Sequence, residues 1–349
     1  MQHKMGIIGY GGVAVGHHEN SKHIKNIETV AAYDIDPERL KVASERGLKA
    51  YDKLADFLND ESFDMVLVST PNNFHKPMVI AALNAGKNVI CEKPVALSAA
   101  DFDDMCDAAK RANKLFAVHQ NRRWDRDYRT VKKVIEDGLI GKPYTIESRV
   151  QGQNGVVHGW RAYKVAGGGM VYDWGAHLVD QMLWLIKEKV IEVYANLHMI
   201  KTPEVDDYFK TVLRFESGLT AQIEFGSYHL TTLPRWYVCG DSGSVTVDGW
   251  DCKGKIVRST QIGIDWVQET VQTDIGPILN KGPRHKETVE ELPLPEVQTD
   301  YSDYYNNYLA VLDGKEELIV KPEEVRRAVK VIDAIFESHE TGEAIKVNI

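Results

Sequence analysis

A short apolar run, Met5 to Gly9 (MGIIG), leads directly into Gly9-Tyr10-Gly11-Gly12-Val13-Ala14, and few folds besides a parallel α/β sheet accommodate such a junction. The run has the character of a strand buried on both faces. The glycines match G-x-G-x-x-A. Gly9 permits the tight turn, Gly11 lets backbone approach a pyrophosphate, and the small Ala14 lets helix meet strand. The helix that opens at Gly12 and Val13 offers free N–H groups to an anion. Thr29 to Tyr33 forms a second strand ending on Asp34, twenty residues beyond Ala14, the spacing of a carboxylate that binds a ribose 2′-OH. Such a carboxylate repels a 2′-phosphate, and Ile35-Asp36 supplies no adjacent cation, so NAD is expected over NADP.

The alternation continues. Helices are expected over Pro37–Arg46, Leu54–Leu58, His75–Ala85 and Ala99–Asn113, with strands at Met65–Ser69, Asn88–Cys91 and Leu115–Val118. This is the pattern of a doubly wound parallel sheet. Open sheets of this kind bind ligands at the carboxyl ends of their strands. Two strand ends are therefore candidates. One is the loop Thr70-Pro71-Asn72-Asn73-Phe74-His75, which gives Thr70, Pro71, Asn72 and His75 as cofactor contacts. The other is Glu92-Lys93-Pro94, where the proline keeps Lys93 out of a helix. A cation at Lys93 would stabilise a substrate oxygen as it loses its proton.

A chain of 349 residues is too long for one ordinary core, so two domains are expected, divided near residues 121 and 122. Beyond that point the pattern changes to alternating strands. Ile191 to Met199, Phe209 to Phe215 and Leu219 to Phe225 read as half-buried antiparallel strands joined by hairpins. Arg235–Cys239 and Ser244–Val247 follow, whereas residues 251–300 read as loop-rich. Helices are expected at Tyr128–Asp137, Asp303–Leu312 and Pro322–His339. The fold class is thus α/β: a dinucleotide-binding domain over 1–121, then an α+β domain over 122–349 with a large open, mostly antiparallel sheet. The C-terminal helix is free to pack back on the first domain. The uncovered sheet face is expected to carry apolar side chains and to be buried in a homodimer or homotetramer.

Within the second domain, Gly167 to Asp180 (GGGMVYDWGAHLVD) places a glycine loop before a helix. In a regular helix Asp173, His177 and Asp180 would share one face, and a carboxylate one turn from the imidazole would favour its charged form. Trp160 and Arg161, just upstream, are placed to reach nicotinamide or substrate.

The net charge of −9 excludes the basic surface that nucleic acid needs. No apolar run approaches the roughly 20 residues of a bilayer span. Cys91, Cys106, Cys239 and Cys252 show no C-x-x-C spacing, and a reducing, cytoplasmic setting is expected. No metal is expected, because the histidines form no ligand cluster in sequence.

Three stretches, GIIGYGG with Asp34, Glu92-Lys93-Pro94 and GGGMVYDWGAHLVD, together resemble the glucose–fructose oxidoreductase/inositol dehydrogenase family, Gfo/Idh/MocA. The resemblance extends over essentially the whole chain, including Asn121-Arg122-Arg123. Ala14 stands where a third glycine is common, and Trp174 where leucine often is. The resemblance implies a catalytic set at Lys93, Asp173 and His177, a cofactor contact at Asn121, substrate contacts at Arg122 and Tyr163, and a sugar, glycoside or polyol as substrate. The expected activity is NAD-dependent oxidation of a secondary alcohol, with His177 as general base near neutral pH. Two other functions fit the same residues: a non-catalytic NAD or sugar sensor, and an enzyme that retains NAD for transient oxidation, as in an epimerase, a glycosidase or a sugar–sugar oxidoreductase.

Overall fold

The computed structural model describes residues 2–260, 269–280 and 288–349. Its helices are α1 (Gly12–Ser21), α2 (Pro37–Glu45), α3 (Leu54–Leu58), α4 (His75–Asn84), α5 (Ala99–Ala112), α6 (Arg126–Glu136), α7 (Ala176–Leu185), α8 (Asp303–Leu312) and α9 (Pro322–Thr341). The first sheet holds β1 (His3–Ile8), β2 (Ile27–Tyr33), β3 (Lys49–Tyr51), β4 (Met65–Val68), β5 (Asn88–Cys91) and β6 (Phe116–Val118). All pair in parallel, in the order β3-β2-β1-β4-β5-β6. That order reverses between β1 and β4, so the crevice opens where the Gly9 turn faces the Thr70 loop. The central strands bury every residue from Met65 to Val68, which explains their unbroken apolar sequence.

The second sheet is built from β7 (Pro143–Gln151), β8 (Val190–His198), β9 (Tyr208–Phe215), β10 (Thr220–Gly226), β11 (Trp236–Gly240), β12 (Gly243–Val247) and β13 (Gly254–Ser259). A two-stranded hairpin of β14 (Glu269–Thr273) and β15 (Gly276–Asn280) stands apart. The strands β16 (Val289–Leu292) and β17 (Ile345–Lys346) close the edges of the large sheet, whose order is β16-β13-β12-β11-β7-β10-β9-β8-β17. Its pairings are antiparallel except that β7 and β10 run parallel. The inner face, carrying Phe209, Leu213, Ala221, Ile223, Trp236 and Val238, packs with α7 and α9 in one core.

The structure corrects two expectations. The 251–300 region contributes β13 and β16 to the main sheet. In β13 only Ile256 is buried, so an edge strand with little apolar alternation gave no periodic signal. Residues 261–268 and 281–287 of that region lie outside the described residues. Second, the outer face of the large sheet is not apolar. Glu147, Arg149 and Glu224 form ion pairs across it, and Glu192 pairs with Arg214. The chain also crosses back. Tyr304, Tyr305 and Tyr308 of α8 lie in the core of the first sheet, while α9 places Val325 and Val329 in that core and Val331 and Ile335 in the other. No helix of the described residues is long and apolar enough to cross a membrane.

Candidate active site

The carboxyl ends of β1, β4, β5 and β6 face the start of α7 across a cleft of about 600 Å³, within the range of small-ligand sites. At one end lies the Gly9 turn. Gly9 has φ of +86°, and a Cβ there would come within 2.9 Å of the Ser69 carbonyl oxygen, so only glycine fits. Gly11 and Gly12 face open space, and a Cβ added at either would meet nothing within 4 Å. No side chain caps the N-terminus of α1. Unshielded amides beside open space fit a pyrophosphate, and Val13 lines the same wall. The fully buried Ala14 keeps helix and strand close. Asp34 Oδ2 accepts from Tyr10 N at 2.6 Å and Oδ1 from Asp36 N at 2.9 Å, so this carboxylate braces the turn. Ile35 beside it is 84% exposed.

At the other end Lys93 reaches across from β5. Its Nζ donates to Asp173 Oδ1 at 2.8 Å and to the Asp173 carbonyl oxygen at 3.2 Å. Arg161 Nε lies 3.3 Å from the same Oδ1. Burial penalises the Asp173 carboxylate, but Lys93 and then Arg161 more than offset this and hold its pKa below the usual range. His177 is buried and lines the cleft, and its Nδ1 has no hydrogen-bond partner. Burial, with Lys93 and Arg122 nearby, holds the imidazole well below its ordinary pKa.

The expected Asp173–His177 pair therefore does not form. Val171–Gly175 is a π-turn, and α7 begins only at Ala176. The wider turn removes the i, i+4 overlap, and two cations capture the carboxylate. Among the described residues no hydrogen bond joins Asp173 to His177, and the ring is kept neutral rather than charged. Asp180 also leaves the site: it pairs with Arg123 at 2.7 Å.

The glycine loop positions this turn by close packing. A Cβ on Gly168 would fall 2.2 Å from the Arg161 carbonyl oxygen. Asp206 Oδ2 accepts from Val171 N at 2.8 Å, and its carbonyl oxygen accepts from Met170 N at 3.0 Å. Burial raises the Asp206 pKa to about 6, against those backbone hydrogen bonds. A carboxyl raised from 3.8 contributes stability that is fully present below pH 3.8 and is lost as pH rises through about 6. Stability should thus fall between pH 5 and 7.5 by roughly 1–2 kcal/mol from this group. Asp206→Asn keeps an acceptor and removes the charge, so its melting temperature should change less over that interval. Parallel slopes for the two proteins would overturn the assignment.

Of the other expected contacts, Thr70, Asn72, His75, Glu92, Asn121, Arg122, Trp160 and Arg161 all line the cleft. Asn72 Nδ2 also donates to the Gly167 carbonyl at 2.8 Å, which ties the two domains. His75 lies between two strand-end loops, Nδ1 2.7 Å from the Pro94 carbonyl oxygen and Nε2 3.0 Å from that of Thr70, and the single N–H of the neutral ring that burial favours donates to one of them. Pro71 N-caps the short turn Asn72–Phe74. Tyr163 does not line the cleft: it is 53% exposed and its carbonyl accepts from Gly168 N, because the 3₁₀ turns around it point the ring outward.

The sequence did not suggest His17, His119 or Tyr305 as members of a site. Glu92 Oε1 accepts from His17 Nε2 and His119 Nδ1, each at 2.7 Å, and Tyr305 OH meets His17 Nδ1 at 2.7 Å. Burial opposes the Glu92 charge, yet the two imidazoles, with His119 the larger influence, hold its pKa well below normal. The histidines thus do form a cluster, since candidate ligand atoms of His17, Glu92 and His119 lie within 4.8 Å of one another. Their mutual hydrogen bonds satisfy the carboxylate and fix the strand end that carries Lys93. Strand-end position alone could have flagged His119, which follows β6 as Glu92 follows β5.

Comparison with known proteins agrees with this geometry. Residues 3–120 match a family described as an oxidoreductase family with an NAD-binding Rossmann fold, and residues 128–246 match the GFO/IDH/MocA C-terminal domain. An uncharacterized oxidoreductase of Schizosaccharomyces pombe is 30% identical over 85% of both chains. The myo-inositol 2-dehydrogenase of Thermotoga maritima is 33% identical over 63% of this chain and 67% of its own. An NAD-binding protein from Listeria innocua superposes with a TM-score of 0.95 at 41% identity over 99% of both chains. With both halves matched, and with an anion-ready glycine turn facing Lys93, the chain belongs to the GFO/IDH/MocA family of NAD-binding oxidoreductases.

Proposed function

We propose that the protein is an NAD-dependent dehydrogenase acting on a secondary alcohol of a sugar, glycoside or polyol. The observation that carries this is the convergence of the Lys93 ammonium and the buried His177 imidazole on the cleft that begins at the Gly9 turn. When bound, NAD supplies the hydride acceptor. The neutral His177 ring takes the hydroxyl proton. Lys93 donates to the same oxygen as negative charge grows on it. Asp173, itself paired with Arg161, holds the ammonium in place, and Arg122 and Asn121 line the wall available to further hydroxyls. The name of the Thermotoga maritima relative favours inositol as one substrate to test.

A screen of sugars, inositols and glycosides with NAD and with NADP, followed by absorbance of the reduced cofactor, tests this. Reduction of NAD by at least one secondary alcohol is expected. Failure across the panel, with no cofactor retained through purification, would overturn it.

Asp34 should set the cofactor preference. Asp34→Ala combined with Ile35→Arg is expected to raise the NADP-to-NAD ratio of kcat/KM roughly tenfold or more, the worth of a hydrogen bond to a charged group. An unchanged ratio would remove Asp34 from ribose recognition. We also infer a homodimer or homotetramer through the open face of the large sheet, now as a polar interface carrying the Glu147, Arg149, Glu224, Glu192 and Arg214 ion pairs. Sedimentation at micromolar concentration would show a monomer if this is wrong.

A further inference from the structure

A second cavity of about 500 Å³ adjoins the catalytic cleft, and Arg122 lines both. We infer that it is a subsite for a neutral glycosyl substituent, so that the preferred substrate is a disaccharide or glycoside rather than a free sugar or polyol. The inference rests on the dehydrogenase function proposed above and specifies its substrate class.

The cavity is built from aromatic faces joined to the catalytic turn. Trp174 directly follows Asp173. Its ring lies 6.0 Å from the His177 ring, stacks on Phe225 at 6.2 Å with an interplanar angle of 16°, and meets Trp250 at 5.9 Å. Trp174, Phe225 and Trp250 all line the cavity. Flat aromatic surface of this kind takes the C–H face of a pyranose ring, which is apolar on its faces and polar at its rim. Trp250 is 48% exposed, so this surface is open to a ligand rather than closed in the core.

The polar groups favour a neutral occupant. Arg122 is the one cation among the described lining residues, and its Nη1 already donates to Asp125 at 2.8 Å. Its charge is compensated, which disfavours a phosphate or a uronate. The uncharged amides Gln153 and Asn154 also line the cavity, and amide side chains both donate to and accept from hydroxyls. The guanidinium lies 4.5 Å over Trp174 and 5.4 Å over Trp250, and Phe225 stacks on Trp174, so the half-exposed Trp250 is the aromatic surface left to a ligand. Gln151 is committed elsewhere, to His229 and to Leu233 N. The placement also fits the reaction: a ring oxidised at Lys93 and His177 would direct a substituent past Arg122 toward Trp174 and Trp250.

The test uses the NAD-saturated protein with glucose, myo-inositol, cellobiose, maltose and lactose. NADH absorbance reports turnover and tryptophan fluorescence reports binding. Wild type should show kcat/KM about tenfold higher for at least one disaccharide than for glucose or myo-inositol. Trp250→Ala should erase that advantage while leaving kcat/KM for the free sugar unchanged, and Trp250→Phe should restore most of it. The proposal is overturned if free sugars are used as well as every disaccharide, or if Trp250→Ala lowers both equally. If no compound is oxidised, the dehydrogenase assignment fails by itself and fluorescence decides the subsite: disaccharide binding lost in Trp250→Ala supports it, and absence of binding to wild type refutes it.

Discussion

His177→Ala is expected to lower the rate of the chemical step by roughly 10²–10⁴-fold, the usual worth of a positioned general base. Lys93→Ala should lower it by roughly 10²–10³-fold, as for loss of one donor to a developing oxyanion. Affinity for NAD should change little in the His177 variant, because the Gly9 turn lies at the far end of the cleft. The pH profile separates a base from a merely structural histidine. His177 must be neutral to accept a proton, and burial with Lys93 and Arg122 nearby holds its pKa well below 6.5. In wild type, kcat/KM for alcohol oxidation should rise with pH through a limb on the acid side of 6.5 and be flat near neutrality. His177→Ala should abolish that limb. A limb that persists unchanged in the variant, or turnover near the wild-type rate, would transfer the base role away from His177. The Lys93–Asp173 contact at 2.8 Å adds a further expectation. Asp173→Asn frees the ammonium from its carboxylate, so it should cost less than Lys93→Ala when the two are compared under the same conditions.

Much of this arrangement was legible in the residues, for reasons that differ by element. The parallel sheet announced itself because strands buried on both faces are continuously apolar, as in Met65 to Val68, and because glycines such as Gly9 stand where no other residue fits. Lys93 and His177 were legible as chemical types at a strand end and a helix start. Their partners were not. The position of Asp173 suggested a turn of α-helix, and only the local packing produces the π-turn that gives its carboxylate to Lys93 and Arg161. The set of His17, Glu92, His119 and Tyr305 was invisible, because its members are separated by up to 288 residues and meet only when α8 returns to the first core. Trp250, on a turn between edge strands, carried no periodic signal.

Arg123 carries the largest expected effect on stability. Its side chain is 1% exposed. Nε and Nη2 donate to the two carboxylate oxygens of Asp180 at 2.8 and 2.7 Å, and Nη1 donates to Glu324 Oε2 at 2.6 Å and to the Ile319 carbonyl at 3.1 Å. Burial opposes the guanidinium charge, but Asp180 and then Glu324 outweigh it and raise its pKa. The residue thus joins the end of the first domain to α7 and α9. Removing one partner of a buried pair leaves the other charged and unpaired, so Asp180→Ala and Arg123→Ala should each destabilise the protein by about 3–5 kcal/mol. Replacing both, as Arg123→Met with Asp180→Leu, should recover most of that loss, because apolar groups of similar volume need no counter-charge. Because α7 also carries His177, the single variants should lose activity at temperatures where wild type is still folded, with the loss following unfolding seen by circular dichroism. Denaturant midpoints for the three variants decide the matter: single variants within about 1 kcal/mol of wild type, below the cost of an unpaired buried charge, would show that water reaches this network and that α7 is held by its apolar face alone.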